Sequence, residues 1–437
     1  MRNLALCTAL VALTACPAED PSTTDSPTTD QTTSGPTTDG TDGTDTTAGP
    51  TTDEPPTGTT NEPPTGTTEE PTGTGTTDTT TGAACEGIDD IPGIDESGCT
   101  PLASDYQPRE NNSADDEWPE CVSDMGPYTL VDNPPSTIAR IVAYENIADL
   151  LWRKADPTPE DFTAARNEYV LPEGLESRLV RREDLHYDPI PEAEWDPQVD
   201  ADKQCTVVAL ADKYPERCVG PSGMKPLVDE AFAAGQAGEG DANIHAARIH
   251  GGLLWFLYLS VYKEANTCAT VAPKDCDSAW AYYTGGEPID AGIGMAAEVT
   301  AISSNANDRI HDGIMAVRCW RDVAQDMGMY PLLDALPGDQ QDLFEQGWEQ
   351  LDQSLHRGYA VIIRDHMQQY VDAACSSAET NVIWAFLQVA GPVLGREAEE
   401  RDAANAAVLS GLWSADGPTP QDVTAGIAAL DAIFPCP

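Results

Sequence analysis

The sequence predicts a mostly α fold from Cys85 onward, an antiparallel helical bundle whose loops are braced by disulfides. Three observations predict it. Apolar residues recur at helical spacing in one long segment after another. Some of these segments open on strong helix-start signals. Alternating patterns rich in β-branched residues, the mark of strands, are scarce.

The chain opens on a processing signal, residues 1–15. Arg2 supplies the positive charge, and Leu4 to Leu13 form an apolar core too short to span a bilayer. Leu13-Thr14-Ala15-Cys16 resembles a bacterial lipobox. That resemblance implies cleavage before Cys16, lipidation of Cys16 and export to the cell envelope on a lipid anchor. Residues 16–84 are then a tether. Beyond Cys16 it is almost wholly Thr, Pro, Gly, Asp, Ser and Glu, with no Lys, Arg or aromatic residue. Such a segment cannot bury enough apolar surface to offset its ordering entropy, so disorder is expected. Residues 85–135, rich in Gly, Pro, Asp and Cys, read as an irregular Cys-rich cap.

Residues 136–437 form the expected helical domain. Ile138, Ile141, Val142, Ile147, Leu150 and Leu151 lie at helix spacing, and Pro157 ends that helix. Thr158-Pro159-Glu160-Asp161 starts the next, with Thr as N-cap, Pro in the first turn and an acid at the third position. A polar, Pro-rich excursion covers about 189–226. Long helices follow over about 242–264 and 293–327. Shorter ones cover about 340–374, interrupted near Leu355 to Gly358, then 379–394 and 397–412, and a final helix spans about 420–433. Asp277 is expected to open a short aromatic helix (Trp280, Tyr282, Tyr283) that stops at Gly285-Gly286. DFTAARNEYV, DSAWAYYTGG and ETNVIWAFLQ echo one another, each an acid followed by aromatics after a long helix, at spacings of 116 and 102 residues. The echo fits repeated helical hairpins or one capping chemistry used three times.

The formal charge is −51, and from Cys85 onward 61 acids face 22 bases. Nucleic acid and anionic lipid headgroups are therefore poor partners, and cations are favoured. Ten of the 12 Cys lie beyond the signal and Cys16, an even number that suits disulfides in an exported chain. Cys205 with Cys218, and Cys268 with Cys276, are the expected local pairs because each flanks a short polar loop. No CxxC pair or HExxH motif suggests a zinc site, and no GxSxG elbow, P-loop or Gly-rich dinucleotide turn argues for an enzyme.

Only six His are present, five of them after residue 240. His250 and Glu264 return to nearly the same face of one helix. His311 lies mid-helix after Glu298. His356 precedes a stretch that also carries His366. Carboxylates and imidazoles inside a helical bundle make a natural site for iron or another divalent cation. The aromatic side chains favour core packing over a carbohydrate or peptide cleft.

DSAWAYYTGG, NANDRIHDGI (305–314), HRGYAVIIRDHMQQY (356–370) and VIWAFLQVAGPVL (382–394) together resemble the iron-assimilating, low-carbon-dioxide-inducible periplasmic proteins first known from green algae. The resemblance implies an exported, mostly helical protein that binds iron outside the membrane and passes it to a separate transporter. It makes Asp277 the residue most reasonably carried over as a ligand. The lipobox, tether and Cys-rich cap depart from the algal pattern and suggest a bacterial lipoprotein branch. The competing expectation is a non-catalytic scaffold or receptor that binds a protein or glycan partner.

Overall fold

The computed structural model describes residues 91–435 except 97–98, 100–104, 109–117, 119, 124–125, 133–134, 330–335 and 375. The signal peptide, Cys16 and the tether lie outside the described residues. Within them are fourteen α-helices, short 3₁₀ and π turns, and no strand. In chain order the helices are α1 (Pro135–Leu150), α2 (Pro159–Tyr169), α3 (Leu175–Leu179), α4 (Val208–Lys213), α5 (Lys225–Ala237), α6 (Ala242–Thr270) and α7 (Lys274–Thr284). Then come α8 (Met295–Ile302), α9 (Ser304–Asp326), α10 (Gly338–Asp372), α11 (Ser377–Ala390), α12 (Gly395–Arg401), α13 (Ala403–Trp413) and α14 (Pro420–Ile433). None is long and apolar enough to cross a membrane.

Two long helices organise the core. The 29 residues of α6 are apolar around most of the helix, so it must be covered on several sides. It packs against α5, α7, α9 and α11. The 35-residue α10 packs against α8, α9, α11 and α14. Helices α9 and α10 approach closely at Gly313, where an added Cβ would stand 2.7 Å from the Leu351 Cα. Only a residue without a side chain fits there. The short helices α2, α7 and α11 hold the three echoing segments, and each packs on the longer helix before it.

Local chemistry sets several boundaries. Thr158 caps α2 in a reciprocal box with Asp161, and Thr419 with Asp422 does the same for α14, both with Pro in the first turn. Helix α7 stops at Gly285, which takes a left-handed φ of 72°. Its start differs from the expected one. It begins at Lys274, so Asp277 lies inside the first turn. The expected helix over 293–327 is two helices, divided at Ser303, whose extended backbone and side chain cap α9. The expected interruption near Leu355 to Gly358 is absent. Gly358 is accommodated within a continuous α10 because its missing side chain leaves room for Ile310 of α9.

The sulfurs of Cys205 and Cys218, and of Cys268 and Cys276, lie at disulfide distance as expected. A third pair, Cys121 with Cys319, ties the segment before α1 to α9 across 198 residues.

Candidate metal centre

The seven predicted ligands do not converge on one site. Asp277 is fully buried, and its carboxylate accepts the backbone N–H of Val131 (2.9 and 3.0 Å) and of Asp132 (2.8 Å). Beside it Trp280 stacks on Tyr128 at 4.5 Å. The acid thus pins the segment leading into α1 onto α7, a structural anchor that occupies both of its oxygens. Glu264 is also placed apart. It shares the face of α6 with His250, but fourteen residues put them about 21 Å apart along the axis, too far to share an ion. Its partners are Lys263 at 3.3 Å and Arg182 at 3.7 Å. His311 is buried on α9.

Glu298, His250 and His366 do come together, from α8, α6 and α10. His250 Nε2 lies 3.1 and 3.2 Å from the two Glu298 oxygens, and Tyr144 of α1 donates to Glu298 at 2.5 Å. The ring of His250 stacks on Trp152 at 4.6 Å and lies 6.0 Å from that of His366, which stacks on Phe386 at 3.9 Å. Burial opposes the Glu298 anion, but His250 and Tyr144 outweigh it and hold its pKa below the usual range. His366 is shifted down, chiefly by burial and then by His250. Its Nδ1 donates to the Ile362 carbonyl at 2.9 Å, which leaves Nε2 as the basic nitrogen.

His356 belongs to a different cluster, with two residues the sequence reading passed over. Ligand atoms of His186, Asp352 and His356 all lie within 4.8 Å of one another, the one such His, Cys, Asp and Glu group among the described residues. His186 comes from the segment after α3, and its Nδ1 lies 2.8 Å from Asp184 and its Nε2 3.3 Å from Asp352. Asp352 and His356 stand one turn apart on α10, and His356 Nδ1 donates to the Asp352 carbonyl at 2.7 Å. Tyr262 stacks on His186 at 4.0 Å, closing one side of the cluster. Asp352 remains 25% exposed, which leaves an approach from solvent.

The electrostatics of this cluster are specific. Burial disfavours a charged His186, but its bonds to Asp184 and Asp352 prevail and raise its pKa to about 9. His356 is pushed down, first by burial and then by the neighbouring His186. Asp352 is held low, since His186 and His356 outweigh its burial. Without an ion, then, His186 near neutral pH is an imidazolium with one N–H towards each of two carboxylates, while His356 is neutral. The 3.3 Å from His186 Nε2 to Asp352 is long for a charged hydrogen bond. It also fits two ligands each about 2.1 Å from one ion.

The Asp352/His356 pair was legible as an acid and an imidazole four residues apart on a helix. His186 carried no local signal, because only the tertiary fold brings its loop onto α10. No family model, no curated protein and no solved structure matches the chain.

Proposed function

We propose that this chain is an exported, lipid-anchored protein that binds a divalent transition metal, iron foremost, at His186, Asp352 and His356, for delivery to a separate transporter. The observation that carries this reading is the convergence of two imidazoles and a carboxylate within 4.8 Å. Two His and one carboxylate with positions left open form a donor set that suits Fe(II), and the carboxylates favour a dication over a monovalent ion. The lipobox at Cys16 supports a place in the bacterial cell envelope. Cysteine pairs at disulfide distance are consistent with an oxidising compartment. The role is capture rather than catalysis, and the motif resemblance to iron-assimilating periplasmic proteins points the same way.

An ion at this site must displace the proton on His186. Affinity should therefore rise about tenfold per pH unit from pH 6 towards the His186 pKa of about 9. Titration calorimetry with Fe(II) under anaerobic conditions, and with Zn(II) and Mn(II), measures this directly. His186→Ala and Asp352→Ala should each weaken binding by at least about 100-fold. Binding left intact in both variants, or no binding of any of the three ions at pH 8, would sink the reading. The scaffold alternative would then stand, with partner binding unaffected by chelation.

A further inference from the structure

Arginine and lysine are scarce here, 23 against 74 acids, yet seven of them line a single cavity with only four carboxylates. The cavity holds about 660 Å³, between the start of α1, the segment after α3 and the C-terminal half of α6. A solvated surface would scatter so few cations among the many acids. Their concentration around one concave site needs a reason of its own.

Two of the guanidinium groups are buried and weakly compensated. Arg140 is 3% exposed, and it donates only to neutral oxygens: the Glu173 carbonyl at 2.8 Å and the hydroxyls of Ser136, Thr137 and Tyr282. Arg182 is 5% exposed, lies over the faces of Phe256 and Tyr282, and has its nearest carboxylate, Glu264, at 3.7 Å, beyond hydrogen-bonding length. Its Nε–H is buried without a partner. Half-buried Arg181 on the same wall makes no ion pair with any described residue. A buried cation without a close counter-charge is unfavourable, and an anion seated beside it offsets that penalty. Leu185, Ile190 and Trp195 give the same cavity an apolar wall.

We propose that this cavity binds a small organic anion, its carboxylate or phosphate group beside Arg140 and Arg182 and its apolar part against Leu185, Ile190 and Trp195. Guanidinium forks match the planar oxygens of both acid groups, which lysine matches less well. The site shares no ligand residue with the metal cluster. Along one segment Glu183 and Leu185 line the cavity, whereas Asp184 and His186 bond within the metal cluster.

The test is titration calorimetry of the purified full chain with benzoate, phenyl phosphate and inorganic phosphate, with benzyl alcohol as the neutral control. At low salt at least one of the two aromatic acids should bind saturably with Kd of about 1 mM or below. The better of the two acids then defines the ligand class. Binding should weaken several-fold in Arg181→Gln, a half-buried and unpaired position, and at least about tenfold in Arg182→Gln. A chelator should leave it unchanged, which separates this result from that of the metal site. No saturable heat from either aromatic acid up to about 10 mM, equal binding of benzyl alcohol, or undiminished binding in a folded Arg182→Gln variant, or in Arg181→Gln should Arg182→Gln not fold, each overturns the proposal.

Discussion

The two histidine clusters use the same residue types to different ends. At His186 two carboxylates flank one imidazole, so the group holds a proton and has oxygens to spare. At Glu298 one carboxylate is shared by an imidazole and a phenol, with Trp152 and Phe386 covering the rings. The first gathers three ligand atoms within 4.8 Å of one another, with the Asp352 carboxylate open to solvent. The second is a polar junction joining α1, α6 and α8, with its hydrogen bonds already made. The two clusters thus differ in the balance of carboxylates to imidazoles and in what covers them.

Breaking the second cluster should have the largest effect on stability. Glu298→Ala leaves the Tyr144 hydroxyl and the His250 ring without their shared acceptor, and should destabilise the fold by about 3–5 kcal/mol in denaturant unfolding. Glu298→Gln keeps an acceptor and should lose less. Equal losses in the two variants would mean that the hydrogen bonds are not what matters.

The first cluster should reveal itself through pH. Its folded His186 pKa of about 9 exceeds the unfolded value of about 6.5. That contribution is therefore complete below about pH 6.5 and is lost as pH rises towards 9, up to about 3 kcal/mol in the ion-free protein. Asp184, Asp352, His356, Glu397 and Arg401 share this field, so the informative quantity is a difference. With chelator present, Asp352→Asn should flatten the decline between pH 6.5 and 9 relative to the native chain. An unchanged slope would show that Asp352 does not hold the proton.

The smallest effect is local. Thr158→Ala removes the cap of α2 and should cost about 1 kcal/mol, with no change in metal or anion binding. A change in either would mean that α2 is coupled to the sites.

How far each site was legible follows from how local its determinants are. Asp277 was conspicuous because acid, aromatics and glycines sit together in one short run. That same locality made it look like a ligand, when its oxygens receive amides 145 and 146 residues away. His250 and Glu264 shared a helix face, but periodicity says nothing of distance along the axis. The meeting of His186 with Asp352 and the basic cavity had no signal, since their partners come from α10 and from α1, α6 and α7.

By itself the sequence determined the all-helical class, the capped start of α2, the glycine stop of α7 and two short-range cysteine pairs. Each depends on residues near one another in the chain, where periodicity, capping and loop length act directly. Only the tertiary structure decided which imidazole met which carboxylate, and where the few cations gathered. Several of those contacts join segments far apart in the chain, as His186 and Asp352 are. Long-range packing of α6 and α10 sets them, and no local pattern encodes it.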